Sequence, residues 1–206
     1  VLVSLGGGAL GGWLLRSWSG ARRPNPEVIR PPGAQEAELL RRCIRCGECV
    51  KACPSAGLQP IALESGWEGL WTPALVPRLG WCSYECCRCG QVCPTGAIPR
   101  LTLEEKRRTV MGTARIDPQR CLSWGHLRVC TVCHDTCPLP PAERAILLEK
   151  AEVVDDLGQK WEVRRPRVVE ELCIGCGICE YNCPVAGQAA IRVHAFARAG
   201  DRRGFP

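Results

Sequence analysis

Residues 173–184 read CIGCGICEYNCP, four cysteines spaced Cys-x2-Cys-x2-Cys-x3-Cys and followed at once by proline. Residues 42–54, RCIRCGECVKACP, repeat the spacing. Two looser versions lie between them. YECCRCGQVCP at 84–94 takes its first cysteine from Cys82, and CLSWGHLRVCTVCHDTCP at 121–138 opens with an eight-residue gap. Four quartets result: Cys43, Cys46, Cys49 and Cys53 (motif one); Cys82, Cys86, Cys89 and Cys93 (motif two); Cys121, Cys130, Cys133 and Cys137 (motif three); Cys173, Cys176, Cys179 and Cys183 (motif four). Each ends in Cys-Pro, at Pro54, Pro94, Pro138 and Pro184. Of 17 cysteines only Cys87 is left over, because Cys86 alone keeps two residues before Cys89.

The spacing has a chemical reason. Three cysteines two residues apart sit on one tight loop and can wrap three corners of a [4Fe–4S] cube. The fourth follows a turn, faces the other way and, in two-cluster ferredoxins, ligates the neighbouring cluster. The proline after it lacks a backbone donor and favours a chain turn. Gly47, Gly90, Gly175 and Gly177 are expected to let backbone approach the inorganic sulfurs. Zinc sites use Cys-x2-Cys pairs with a long spacer. Disulfide frameworks belong to short secreted domains, and cysteines this close in sequence pair with poor geometry. The expected cofactors are therefore four [4Fe–4S] clusters. Their expected ligand sets are Cys43/Cys46/Cys49/Cys93, Cys82/Cys86/Cys89/Cys53, Cys121/Cys130/Cys133/Cys183 and Cys173/Cys176/Cys179/Cys137. A nested exchange, motif one with four and two with three, is the alternative. Cys87 is expected to be a spare thiol.

Composition agrees. Cysteine makes up about 8% of 206 residues, the range of a cysteine-built scaffold, and without it the apolar fraction is roughly 38%. The formal charge is +6, with 23 Arg against 4 Lys. Four thiolate-ligated clusters would add roughly −8, which leaves a holoprotein near −2. The arginine excess, including Arg45, Arg88 and Arg128 inside the motifs, then reads as internal compensation. Nucleic-acid binding is not expected, since neither a basic run nor a stacking platform is present. The chain lacks a phosphate-cradling Gly loop ending in Lys-Ser/Thr, a Gly-x-Ser-x-Gly turn and a dinucleotide fingerprint, so nucleotide chemistry is not expected. His126, His134 and His194 read as ordinary polar residues, because every motif already has four thiols.

The expected fold class is α+β: two ferredoxin-like units, a tandem 2[4Fe–4S] polyferredoxin with little regular structure, plus an N-terminal membrane-helix fragment. Residues 1–20, VLVSLGGGALGGWLLRSWSG, read as an apolar anchor, too short to span a bilayer alone. They carry small-xxx-small pairs at Gly7/Gly11 and Gly8/Gly12, with Trp13, Arg16 and Trp18 as an interfacial belt. Membrane association is assigned to residues 1–18. Residues 21–35 read as a Pro-rich linker, 36–112 as the unit with motifs one and two, 113–196 as the unit with motifs three and four, and 197–206 as a tail. A short helix is expected over Ala34–Arg42. Residues 151–169 read as a β-hairpin turning at Asp156-Leu157-Gly158; 113–117 and 189–193 read as strands. Trp67, Trp71 and Trp81 are expected to cover cluster faces and exclude water.

The motifs resemble those of the four-cluster, ferredoxin-type proteins that accompany periplasmic nitrate reductase and methylamine-utilisation systems. The resemblance covers about Ala34 to Val193. It rests on RCIRCGECVKACP, YECCRCGQVCPTGAI, the third motif with its long first gap, and CIGCGICEYNCP. It implies an electron-transfer protein with redox-protein partners, among them a polytopic membrane subunit that handles quinol, and a soluble part on the extracytoplasmic face of the membrane. The reading is a relay of single electrons between a quinone-linked membrane partner and another redox protein. It is not an enzyme on its own and has no catalytic residue, but serves as a subunit of an oxidoreductase complex. Two other functions stay open: a subunit with its own substrate site, or an assembly protein with clusters as staples.

Overall fold

The structure is a computed structural model that describes residues 28–125, 128–154 and 157–195. The anchor reading of residues 1–18, His126 and the hairpin residue Asp156 lie outside the described residues. Among the described residues no helix is long and apolar enough to cross a membrane; the membrane-helix fragment expected over residues 1–20 lies outside them. The rest is mixed α and β, mostly irregular, with short elements set between cysteine loops.

In the first half, α1 (Glu36–Arg42) leads into motif one. Its acidic first turn and basic last turn suit the helix dipole. A one-turn helix, α2 (Glu48–Lys51), carries Cys49. A short hairpin follows: β1 (Leu58–Pro60) pairs antiparallel with β2 (Pro73–Leu75), with α3 (Gly66–Gly69) in its loop. Residues 28–35 of the expected linker are built into this half. Ile29 bridges Leu75 and is fully buried. Arg30 is buried too; it pairs with Glu36 and donates to Thr72 Oγ1, Pro73 O and Ser65 Oγ, each at 3.0 Å. Motif two bears α4 (Arg88–Gln91). After it, α5 (Leu103–Arg108) starts on a full capping box: Thr102 Oγ1 accepts from Glu105 N at 3.2 Å, and Glu105 Oε2 from Thr102 N at 2.8 Å.

In the second half, β3 (Gly112–Ile116) pairs antiparallel with β6 (Ile191–Ala195), with Ala114 opposite Val193. Between them lie α6 (Leu122–Gly125), α7 (Val132–Asp135), a 3-10 turn (Pro141–Glu143), a long hairpin and α8 (Ile178–Tyr181). The hairpin joins β4 (Ile146–Val154) to β5 (Lys160–Val168) in a register from Ile146↔Val168 to Val154↔Lys160, five residues longer on its first strand than the sequence pattern suggests. Leu147 and Val154 face solvent on that strand while Ile146 is buried, so the alternation that marks a half-buried strand is weak there.

The halves meet at backbone. Cys82 N donates to Cys176 O at 2.8 Å and Met111 N to Ile174 O at 3.0 Å. Gly175 sits here at φ +71°, and a Cβ on it would lie 2.5 Å from Gly112 N, so only glycine permits this approach. Trp81 packs on Tyr181 with ring centroids 4.7 Å apart. Arg78 fans across the joint to four carbonyls of the motif-four loop: Glu180, Cys183, Val185 and Gly187. A single apolar cluster, from Ile29 and Leu39 to Ile191 and Val193, runs through both halves.

Candidate metal centres

The one-turn helices α2, α4, α7 and α8 each carry the third cysteine of their motif. Gly47 and Gly177 take the left-handed conformation as N-caps of α2 and α8, which turns the chain so that Cys49 and Cys179 are buried. Gly90 departs from its expected role. It lies within α4, and a Cβ there would stand 2.1 Å from Pro99 O, so its need is close packing of the chain that leaves motif two.

Three cavities are each lined by four cysteines. One is lined by Cys53, Cys82, Cys86 and Cys89, with Trp81 and Met111. Another is lined by Cys121, Cys130, Cys133 and Cys183, with Ile116 and Ile191. A third is lined by Cys137, Cys173, Cys176 and Cys179, with Ile146 and Val193. The remaining four cysteines also stand together: Cys43, Cys46 and Cys93 act electrostatically on Cys49. In every group the fourth cysteine comes from the other motif of its half. Among the described residues no three His, Cys, Asp or Glu side chains converge closely enough for a single metal ion. The quartets are wider than a zinc site and enclose space, which fits a bulkier group bound through four thiolates.

Burial sets the protonation of these thiols. It pushes Cys49 up to about 11, with Cys43, Cys46 and Cys93 adding repulsion. It pushes Cys89, Cys133 and Cys176 up to about 12, and Cys179 well above the ordinary thiol value. Such groups become thiolates only when a cation replaces the proton. Some donors already favour the anion. Ala114 N lies 3.4 Å from Cys173 Sγ and Ile98 N 3.5 Å from Cys93 Sγ. At Cys93 burial is outweighed by the Ile98, Thr95 and Ala97 amides and the Thr95 hydroxyl, so its pKa falls.

The quartets also lie in a row. Cys49 of the first acts on Cys89 of the second, Cys82 of the second on Cys176 of motif four, and Cys133 of motif three on Cys179 of motif four. The spatial order is one, two, four, three. Cys46, at one end, is the single exposed cysteine among the described residues.

Comparison with known proteins decides the family. Residues 40–58 and 165–191, which hold motifs one and four, each match a 4Fe–4S binding domain. The methylamine utilization ferredoxin-type protein MauM of Methylorubrum extorquens is 38% identical over 178 residues, 84% of this chain and 75% of that one. The ferredoxin-type protein NapG of Escherichia coli is 37% identical over 196 residues, 94% of this chain and 81% of that one. This chain belongs to the MauM and NapG family of ferredoxin-type proteins. MauM of Paracoccus denitrificans, 38% identical over 92% of this chain and 82% of its own, is a further member. No solved structure matches. As a member of this family, the chain is an iron–sulfur electron-transfer protein with 4Fe–4S clusters as cofactors.

Three expected roles change. Trp81 lines the motif-two cavity, but Trp67 and Trp71 are 71% and 65% exposed and line none of these three cavities. They ride on the loop around α3, held by Arg45, which donates to Leu70 O at 2.8 Å and Glu68 O at 3.0 Å. Arg45, Arg88 and Arg128 all face solvent, so they do not supply charge inside the quartets. Cys87 lies outside all three cavities and accepts from Gln91 Nε2 at 3.3 Å. Sequence reasoning missed Lys106, Arg78 and Arg30. For Lys106 a signal existed: the capping box Thr102-x-x-Glu105 announces a helix whose inward face includes position 106.

Proposed function

We propose that the sixteen motif cysteines hold four [4Fe–4S] clusters in the sets that the quartets form, and that the protein passes single electrons along the row in the order one, two, four, three. Each bound cluster supplies one-electron uptake and release. The chain does the rest. Its thiolates fix the four positions, the apolar side chains around three of them limit water, and the reciprocal fourth cysteines tie neighbouring positions together. The observation that carries this reading is the row of quartets, with an electrostatic contact between each neighbouring pair.

The ends of the row are where partners exchange electrons, and Cys46 makes the motif-one end the more open one. We place a quinone-linked membrane subunit at one end and a second redox protein at the other, with the soluble part on the extracytoplasmic face. The support is the family resemblance and the apolar Gly-paired stretch of residues 1–18. With complete thiolate sets and no acid–base constellation in the motifs, the chain acts as a subunit of an oxidoreductase complex and transforms no substrate itself.

The test is anaerobic isolation of the full chain, iron analysis and a redox titration, then reduction by a membrane fraction containing quinol and reoxidation by a soluble acceptor. About sixteen iron per chain and cycling clusters are expected. Zinc in place of iron, redox-silent clusters, or turnover of a small substrate by the isolated chain would each sink the relay.

A further inference from the structure

Lys106 is 1% exposed and heads the group of fully buried side chains. It projects from α5 beneath the motif-two loop. Its Nζ donates to Ser83 O and lies 5.8 Å from the centre of the Tyr84 ring. Among the described residues no carboxylate pairs with it; the nearest ion pair on its helix joins Arg107 to Glu85. A buried ammonium held by a carbonyl and the face of a ring is costly unless an anion is at hand. The anion that the proposed cluster would bring there is the Cys82 thiolate: Ser83, whose carbonyl the ammonium binds, is the next residue in the chain and lines the same cavity. Cys82 lines the motif-two cavity and sits at the joint, where its backbone N donates to Cys176 O.

We propose that the Lys106 ammonium is the resident counter-charge of the motif-two centre and holds its reduction potential above the value it would have without that charge. The inference rests on the proposed cluster in the Cys53, Cys82, Cys86 and Cys89 set. A fixed cation beside a ligand sulfur stabilises the reduced, more negative state. Local charge and hydrogen bonds to the sulfurs are the protein's levers on cluster potential. Lys106 is thus a positioning residue for electrons at the second of four steps, just before the joint between the halves.

The experiment is an EPR-monitored anaerobic redox titration of the full-length holoprotein, wild type against Lys106→Met, Lys106→Arg and Cys86→Ser. Iron analysis of every sample comes first. The Lys106→Met protein is expected to keep its iron and to show one signal moved to lower potential by at least tenfold in its reduction equilibrium, about 59 mV for one electron. That signal is the one missing or converted in Cys86→Ser, and Lys106→Arg restores it. Three results overturn the proposal: no movement in iron-replete Lys106→Met, movement of a signal that Cys86→Ser leaves intact, or Lys106→Arg shifted as far as Lys106→Met. If Lys106→Met loses iron, Lys106→Arg decides. Full loading at wild-type potentials supports the counter-charge role, and failure to load assigns the residue to packing and overturns it. Wild-type protein without iron–sulfur clusters is a separate outcome, read from the iron analysis, and overturns the cluster assignment together with this inference.

Discussion

Replacing Arg78 with alanine removes one side chain and unties two halves. Its guanidinium donates to Gly187 O from Nε at 3.1 Å, to Glu180 O and Cys183 O at 3.1 Å, and to Val185 O at 2.7 Å. The acceptors lie more than 100 residues away in sequence, so nothing local replaces the donor. The Gly187 carbonyl is exposed and water takes over there. The other three contacts are part-buried, and at about 1–1.5 kcal/mol each their loss amounts to about 3–4.5 kcal/mol. Arg78→Lys is expected to recover only a minority of this, because one ammonium cannot reach four carbonyls at once.

That cost falls on local opening of the motif-four loop, which carries Cys179 and Cys183. Iron release in the presence of a chelator samples such opening. At 1.4 kcal/mol per decade, the opened population rises about 10²–10³-fold. The assay is stopped-flow bleaching of the visible absorption of anaerobic holoprotein in chelator, with EPR to tell which centres are lost. Arg78→Ala is expected to lose the motif-three and motif-four centres about 10²–10³ times faster, while the centres of the first half keep their wild-type rate. Equal acceleration of all four, or none, would refute the reasoning.

Other outcomes follow from the same geometry. Cys86→Ser loses or converts one cluster while Cys87→Ser keeps all iron; equal losses from the two would reverse that assignment. Thr102→Ala removes the capping box of α5 and costs about 1 kcal/mol by anaerobic denaturation; a change below a few tenths means the box contributes nothing in the folded chain. Cluster loading in vitro releases protons, since Cys49, Cys89, Cys133 and Cys176 ionise only at about 11 to about 12 before metal enters. Loading therefore strengthens as pH rises from 6 toward 9, by up to tenfold per unit for each proton released, and a pH-stat that records no release contradicts it. The sign is opposite for the metal-free fold. Its raised thiol pKa values leave stability complete below the unfolded thiol value near 9, and that stability falls as pH climbs toward 11–12. A truncation beginning at Ala21 is expected to leave the membrane fraction when no partner subunit is present; retention there would remove residues 1–18 as the anchor.

The grouping of three cysteines per loop was legible because spacing is a local property: three thiols on one loop can be counted. The hairpin over 151–169 and the strands β3 and β6 were legible from alternation for a similar reason, but not the first five residues of β4 or the pairing of β3 with β6. The burial of Ile29 and Arg30 was not, because it depends on Thr72, Pro73 and Ser65 returning from further along the chain. Nor was the outward turn of Trp67 and Trp71. Composition suggests that large aromatics cover clusters, whereas Arg45 ties the loop that bears them to the outside of motif one. Arginines inside the motifs invite the role of internal charge. The buried cation is instead a lysine on the helix after motif two, seen only once α5 is packed against Ser83.

The joint between the halves is where the chain becomes one row. Within each half the fourth cysteines cross over, so the proposed clusters would tie each pair of quartets covalently. Nothing of that kind links motif two to motif four. There the approach of Cys82 to Cys176 depends on two backbone hydrogen bonds, on the missing Cβ of Gly175 against Gly112, on Trp81 against Tyr181 and on the fan of Arg78. The three contacts of the row are therefore unequal. On the proposed ligation, those within a half would survive any substitution that leaves the cysteines in place. The one between halves is set by packing and can be loosened without touching a cysteine. Electron exchange between motifs two and four is the step that mutation of Arg78 or Gly175 should slow first. With Lys106 beside Cys82, the same position governs both how close the two halves come and how readily an electron waits there.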